Sequence, residues 1–285
     1  MKRFKIGGVP EHFNLPWRLA IEEGKLTSLD VEMHWSDMTG GTGQMIKGLQ
    51  TGNLDVAVLL TEGITKSILQ GLNAKIVAVY VTTPLHWGIH VPYHSDIQTV
   101  SQLENQTFAI SREGSGSHLM AYVKASQEGW DLSKLKFNVV GDVYGGLWAL
   151  QNDQAQAFLW EKYTTHPFTE QHKCRYIDEV VTPWPCFVIA VRNEVLKENV
   201  ELIKQICEAV HLRAKEFKAN SNAAEMIAWR YNLNIQEVNS WLKETDWNYN
   251  NESMIHSFEN VVDYLIKLDL VSESDTYDWK ERLFI

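Results

Sequence analysis

Two short segments of this sequence place small, hydroxyl-bearing residues where a helix should begin. They are Thr39-Gly-Gly-Thr-Gly and Gly114-Ser-Gly-Ser-His. A helix start offers unpaired backbone N–H groups and the positive end of the helix dipole. Together these favour an anion or a carbonyl oxygen by about 0.3–2 kcal/mol each. Glycine lets a ligand approach the backbone closely. Thr39, Gly41 and Thr42 in the first segment are candidate ligand contacts, as are Ser111, Gly114, Ser115, Gly116, Ser117 and His118 around the second. Simple N-capping of the two helices by Thr42 and Ser115 is the alternative.

Other chemistry-bearing residues cluster after apolar runs. Glu11, His12 and Asn14 stand in a turn-rich loop, Gly8-Val-Pro-Glu-His-Phe-Asn-Leu-Pro, that leads to Trp17. Thr61 and Glu62 follow the run Asp55–Leu60, Tyr144 and Gly145 precede a short helix, and Trp160 and Glu161 follow Ala155–Leu159. A carboxylate at Glu161 can accept hydrogen bonds from an amino-heterocycle or pair with a cation; a surface salt bridge with Lys162 is the plainer reading. Trp17, Trp160 and Trp184 are placed to stack on a flat ligand, whereas Trp35, Trp229 and Trp241 read as core or helix-packing residues. His12 and His118 each follow a strand, but ten scattered histidines make such a pairing easy by chance, and no metal or cofactor is expected. The glycine pattern is no nucleotide motif: Gly41-Thr-Gly lacks the third glycine of a dinucleotide fingerprint, and Lys47 is followed by Gly48 rather than Ser or Thr. Neither HExxH nor GxSxG occurs.

The elements that must position these residues alternate strand and helix. Strands are expected at Arg3–Gly8, Leu29–Trp35, Asp55–Leu60 and Lys75–Val81. Helices are expected at Trp17–Glu23, around Met45–Leu49 and near Thr65–Gln70. Near-continuous apolar strands suit a parallel sheet covered on both faces, joined by right-handed crossovers. A second unit follows, with strands Thr107–Ile110, Lys136–Val140 and Ala155–Leu159, a helix to about Glu128, and a short helix after Gly145-Gly146. Each unit runs Gly-Gly, helix, Leu-Gln, tight turn, apolar strand, then a polar loop carrying Glu62 or Glu161. Ligands in open parallel sheets sit beyond the carboxyl ends of the strands, which selects loops 9–17, 38–43, 60–63, 111–118, 143–146 and 160–162. Helices are then expected at Glu194–Phe217, Ala223–Tyr231, Ile235–Glu244 and Ser253–Leu268. The fold class is α/β with two lobes, each a mostly parallel sheet flanked by helices. The first lobe spans 1–85 and 190–285, and the second spans 90–185. Hinge crossings fall near 83–92 and 183–191, and the C-terminal helices pack on the first lobe.

Composition narrows the function. The 285 residues carry a net charge of −10, with no excess of Lys and Arg to displace counterions from phosphates, so nucleic acid is not an expected partner. No apolar run approaches the roughly 18 residues of a membrane span, and membrane insertion is not expected. Cys174, Cys186 and Cys207 are an odd, widely spaced set and read as small buried hydrophobes. The start, Met1-Lys-Arg-Phe, lacks the apolar stretch of about 7–15 residues that a secretion signal needs. A cytoplasmic location is expected for the chain as written, and a periplasmic one if a leader has been removed.

With these segments in place, the chain resembles the type II periplasmic-binding fold. Within it, the chain is most similar to the branch of sulfonate, nitrate and taurine-type transport receptors and thiamine-pyrimidine proteins. The resemblance rests on Gly8-Val-Pro-Glu-His-Phe, Thr42-Gly-Gln-Met-Ile-Lys-Gly-Leu-Gln-Thr-Gly-Asn-Leu-Asp-Val-Ala, Ile110-Ser-Arg-Glu-Gly-Ser-Gly-Ser-His and Phe158-Leu-Trp-Glu-Lys-Tyr-Thr-Thr-His-Pro. The last segment resembles a leaderless subgroup with yeast members. The resemblance implies a solute-binding protein that closes two lobes on a small polar ligand, a pyrimidine-like heterocycle or an organic anion such as a sulfonate. It implies ligand contacts at Thr42, Ser115 and Glu11–Asn14, with Glu161 from the second lobe, and an ABC permease as partner if the chain is exported. The same branch includes enzymes of pyrimidine and cofactor biosynthesis, which is the alternative, with His12 or His118 as acid–base and Glu161 as orienter. The pyrimidine synthase carries a compact cysteine run that Cys174, Cys186 and Cys207 do not reproduce.

Overall fold

The computed structural model describes residues 1–247 and 254–285. By its contacts the chain divides into two compact units, one of Met1–Pro84 with Pro183–Ile285 and one of Leu85–Thr182. Unit 1 opens with β1 (Lys2–Gly8), α1 (Leu15–Glu22), β2 (Val31–Asp37), α2 (Gly41–Thr51), β3 (Val56–Leu60), α3 (Thr61–Leu69) and β4 (Ala74–Val81). Unit 2 follows with β5 (His86–Val91), β6 (Thr107–Ile110), α4 (Gly116–Glu128), β7 (Lys136–Val139), α5 (Val143–Gln151), β8 (Ala157–Glu161), α6 (Lys162–Glu170) and β9 (Arg175–Val181). The chain returns to unit 1 through β10 (Phe187–Arg192), then α7 (Asn193–Lys218), α8 (Ala223–Tyr231), α9 (Ile235–Glu244), α10 (Met254–Lys267) and α11 (Trp279–Leu283).

The two sheets share one topology, with orders β2-β1-β3-β10-β4 and β7-β6-β8-β5-β9. In unit 1, β1 pairs in parallel with β2 and β3, while β10 is antiparallel to β3 and β4. In unit 2, β6 pairs in parallel with β7 and β8, while β5 is antiparallel to β8 and β9. Each sheet is therefore mostly parallel with one reversed strand. That strand is the first the chain lays down after crossing from the other unit. The stretches read from sequence as hinge strands supply these two reversed strands. The apolar patterning has the expected cause: Val56, Ala57, Val58 and Leu59 of β3 are all buried, because neighbours flank the strand on both edges and helices cover its faces.

Several local expectations are corrected. Thr27–Leu29 form a 3-10 turn ended by Asp30 at φ 55, so β2 starts at Val31 rather than Leu29. Gly145 and Gly146 lie inside α5, not before it: Asp142 caps the helix, and the helix packs so closely that a Cβ on Gly146 would meet the Phe158 ring at 2.4 Å. The polar loops expected after β3 and β8 are absent. α3 and α6 begin directly, with Glu62 in the first turn of α3 and Glu161 ending β8. α7 is kinked at Asn199, whose φ of −136 is non-helical. Trp229 is 87% exposed on α8 and packs no core. Ser253, read as the start of a helix, lies outside the described residues. Among the described residues, no helix is long and apolar enough to cross a membrane.

Candidate functional site

In unit 1 the carboxyl ends of β1, β2 and β3 lead into α1, α2 and α3. The first loop is held from below. Gly8 has no room for a side chain, because a Cβ would meet the Trp35 ring at 2.5 Å and Asn14 Nδ2 at 2.8 Å. Asn14 is buried and donates from Nδ2 to the Val9 carbonyl at 2.8 Å. The Phe13 carbonyl accepts from Tyr80 Oη at 2.9 Å and from Trp247 Nε1 at 3.1 Å. His12 is 1% exposed, with its ring 4.9 Å from Phe13 and 4.1 Å from Trp241. Burial pushes its pKa down to about 3, so it is neutral and belongs to an aromatic cluster. Trp17 is fully buried, 6.5 Å from Tyr80, and packs unit 1 instead of standing at a loop end. Glu11 is half-buried at the head of this loop.

At α2 the N-cap is Gly40, with no side-chain cap, and Gly41 takes φ +64, a left-handed conformation that favours glycine. Thr42 therefore does not cap the helix. Its Oγ1 accepts the Leu60 N–H at 3.3 Å, and its methyl group fills the space a Gly63 Cβ would need. Thr39 is exposed just before the turn. At α3, Thr61 Oγ1 donates to the Pro185 carbonyl at 2.5 Å. Glu62 is 2% exposed: Oε2 accepts from Trp184 Nε1 at 3.0 Å, while buried Oε1 has no partner among the described residues. Burial pushes this carboxyl up to about 7, against the pull of a backbone N–H and the Trp184 bond. Trp184 is thereby a buried donor to Glu62 and not an open stacking face.

In unit 2 the turn before α4 is a chain of buried hydroxyls. Ser117 Oγ accepts the Ser111 N–H at 3.0 Å and lies 3.0 Å from Ser115 Oγ, which caps the helix by accepting the His118 N–H at 3.4 Å. Gly114, at φ +71, donates its N–H to His118 Nδ1 at 2.8 Å, and the imidazole packs 4.4 Å from the Phe137 ring. Gly116 is the first residue of α4. Asp142 caps α5 by accepting the Gly145 N–H at 2.9 Å, and Tyr144 beside it is 68% exposed. Trp160 is half-buried and stacks on Phe158 at 5.4 Å. Glu161 is 4% exposed and caps α6. Its Oε1 accepts the Tyr163 N–H at 3.2 Å, and its Oε2 accepts the Thr164 N–H at 2.7 Å and hydroxyl at 2.6 Å. Burial raises this carboxyl above its ordinary value despite those bonds.

The helix starts thus fall into two kinds. α2 and α3 have no side-chain cap, and α4 is capped by a neutral hydroxyl. α5 and α6 are already occupied by the carboxylates of Asp142 and Glu161. An anionic or carbonyl oxygen finds receptive N–H groups only at the first kind.

Sequence reasoning missed a second polar group in unit 2. His86 Nδ1 lies 3.2 Å from Glu179 Oε1, and Lys162 Nζ lies 3.0 Å from Glu179 Oε2. It also missed His90, buried on β5, whose Nε2 lies 2.9 Å from Thr165 Oγ1 and whose pKa burial pushes down to about 4. Among the described residues, no group of three or more His, Cys, Asp or Glu side chains converges to hold a metal ion.

Residues 87–180 match the family model of Ca3427-like periplasmic binding proteins. No curated protein sequence matches the chain. Among solved structures, the Candida albicans CA3427 gene product, described as defining a new family with the generic periplasmic binding protein fold, is 24% identical with a TM-score of 0.87, covering 100% of this chain and 96% of that one. The alkanesulfonate-binding protein SsuA from Xanthomonas axonopodis pv. citri, bound to MOPS, is 14% identical with a TM-score of 0.80, covering 95% of this chain and 94% of that one. The periplasmic aliphatic sulphonate binding protein SsuA from Escherichia coli is 17% identical with a TM-score of 0.75, covering 99% and 97%. Two five-stranded sheets of one topology, each with a single reversed strand and helix starts along its carboxyl edge, give this chain the type II periplasmic-binding-protein fold.

Proposed function

We propose that this chain is a solute-binding protein that takes up one small polar molecule and returns it chemically unchanged. The observation that supports it best is the build of the helix starts at α2 and α4. There, small residues, a left-handed glycine and buried hydroxyls leave N–H groups for a ligand oxygen. In unit 1 the proposed contacts are Thr39, Gly41 and Thr42, supported from beneath by Glu11, His12 and Asn14. In unit 2 they are Ser111, Gly114 to His118, Tyr144 and Trp160. Thr61, Glu62, Gly145, Trp17 and Glu161 shape the helix starts behind them.

The ligand class rests on likeness. Structural relatives include the SsuA bound to MOPS and PhnD1 from Prochlorococcus marinus in complex with methylphosphonate. A small organic anion such as a sulfonate, or a pyrimidine-like heterocycle, suits the helix starts here. An ABC permease is the partner if the chain is exported. Enzymatic conversion is the second reading; against it, His12 lies buried in an aromatic cluster, while His118, one of the contacts proposed above, already accepts the Gly114 N–H at Nδ1. Calorimetric titration with MOPS, methylphosphonate and aminopyrimidines, followed by chromatography of the recovered compound, tests the proposal. Saturable binding with the compound intact supports it; conversion of the compound replaces it with an enzyme.

A further inference from the structure

Glu179, on β9, is a carboxylate with three donors gathered on it. His86 Nδ1 stands 3.2 Å from Oε1, Lys162 Nζ 3.0 Å from Oε2, and Tyr176 Oη donates to Oε2 at 3.2 Å. The Lys162 ammonium also lies 5.7 Å from the ring centroid of Tyr163 and 5.6 Å from that of Tyr176, a cation steadied by two aromatic faces. Burial works to raise the Glu179 carboxyl, but the bonds from Lys162 and His86 outweigh it and hold the group below its ordinary value.

An ionised carboxylate only accepts hydrogen bonds, so the contact to His86 puts that residue's proton on Nδ1. A ring whose single proton sits on Nδ1 presents a lone pair at Nε2, and no partner for Nε2 stands among the described residues. His86 and Lys162 keep 29% and 35% of their side-chain surface exposed, so solvent and solutes reach both. The register explains the location. β5 runs against β8 and β9, so its first residue lies at their carboxyl ends: His86 pairs with Val181, and Trp87 with Glu161. Gly88 stands between Trp160 and Glu179 in register, and the space a Cβ would take there is filled by the rings of His90 at 2.7 Å and Tyr176 at 3.3 Å.

We propose that His86 and Lys162, both anchored on Glu179, form an acceptor–donor pair that recognises an amide-type ligand edge, an N–H beside a carbonyl oxygen or ring nitrogen. The inference rests on the solute-binding reading and names the ligand class that unit 2 selects. Nε2 accepts the ligand N–H, and the ammonium donates to the neighbouring acceptor. A sulfonate or carboxylate would set an oxygen lone pair against the Nε2 lone pair, so this tautomer disfavours simple anions. Glu179 is a positioning residue: it fixes the tautomer and restrains the lysine without touching the ligand.

The test uses the full chain labelled with 15N-histidine, with long-range 1H–15N correlation to read the tautomer of His86. The probes are uracil, which offers an N–H beside a carbonyl, and 1,3-dimethyluracil, which has no N–H. The expected result is a ring protonated at Nδ1 whose resonances move with uracil and not with the dimethyl compound. Glu179→Ala should return the ring to the Nε2-protonated form and weaken the uracil response by about tenfold. Lys162→Met should weaken it similarly while leaving the tautomer unchanged. The other histidine resonances and the melting curve report whether each variant has kept its fold. Protonation at Nε2 in the parent protein, or an equal response to both probes, overturns the pair. Binding of MOPS or methylphosphonate with His86 unmoved by uracil overturns the pair and leaves the solute-binding reading standing. Binding of none of the three removes both.

Discussion

The Glu161 carboxylate closes the start of α6 by accepting both the backbone N–H and the hydroxyl of Thr164, at 2.7 and 2.6 Å. A group that sequence alone marks for a ligand is therefore already engaged by its own helix. In the proposed binding protein its part is to shape and rigidify that edge.

Glu161→Ala should accordingly lower stability by about 2 kcal/mol, the upper range for a lost helix cap. Glu161→Gln, which keeps one acceptor, should cost less. Urea denaturation with an unchanged m-value checks the difference. A neutral Glu161→Ala would show that α6 does not depend on the cap.

Glu62 gives stability a pH dependence of unusual sign. Its folded pKa of about 7 lies above the ordinary 4.5, so the folded state holds a proton that the unfolded chain releases. This contribution is complete below about pH 4.5 and is lost as pH rises through 7, a span of about 3 kcal/mol. Glu62→Gln keeps an acceptor for Trp184 and should flatten this limb, making the variant the more stable protein at pH 8. Equal slopes in the two proteins would contradict the burial of an acidic proton.

The buried imidazoles act the other way. His12 and His90, pushed down to about 3 and about 4 from 6.5, contribute stability that is present above pH 6.5 and lost as pH falls towards those values. His12→Phe preserves the ring contacts with Phe13 and Trp241 and should make the acid limb shallower by on the order of 4 kcal/mol. Chemical denaturation at a series of pH values separates this limb from that of Glu62. An unaltered acid limb would mean that His12 is protonated in the fold.

Gly146 marks a close approach of α5 to β8. A methyl group there would meet the Phe158 ring at 2.4 Å, so Gly146→Ala should destabilise by about 1–3 kcal/mol through overpacking. Thermal melting of the variant measures it, and a melting point equal to the parent's would show that the Phe158 ring gives way freely.

Much of the fold was legible because its signals are local. Thr107–Ile110, Ala223–Tyr231 and Ile235–Glu244 have the bounds that apolar spacing and punctuation suggest. The segments that escaped lack those signals. β9, Arg-Tyr-Ile-Asp-Glu-Val-Val, is an edge strand with most of its residues only partly buried, so it never needed an apolar run. α6 is polar and contains Pro167, which reads as a break. The site was legible only at its turns. Glycines and hydroxyls announce a helix start, but which carboxylate caps which helix depends on side-chain reach. The His86–Glu179 pair joins residues 93 apart in sequence, and only the antiparallel register of β5 with β9 brings them together. Trp229 shows the opposite error: an aromatic at helical spacing was read as core and is exposed because its face of α8 has no partner among the described residues.

The most direct test of the central claim is a thermal-shift screen of the purified protein against alkyl and aryl sulfonates, methylphosphonate, nitrate, carboxylates, pyrimidines and purines, with mass spectrometry of each compound afterwards. A ligand at 100 times its dissociation constant adds about 2.7 kcal/mol, which raises the melting point by several degrees. One chemical class should produce this rise and be recovered intact. A hit consumed during incubation, or a flat screen with no small molecule co-purifying in native mass spectra, would contradict it.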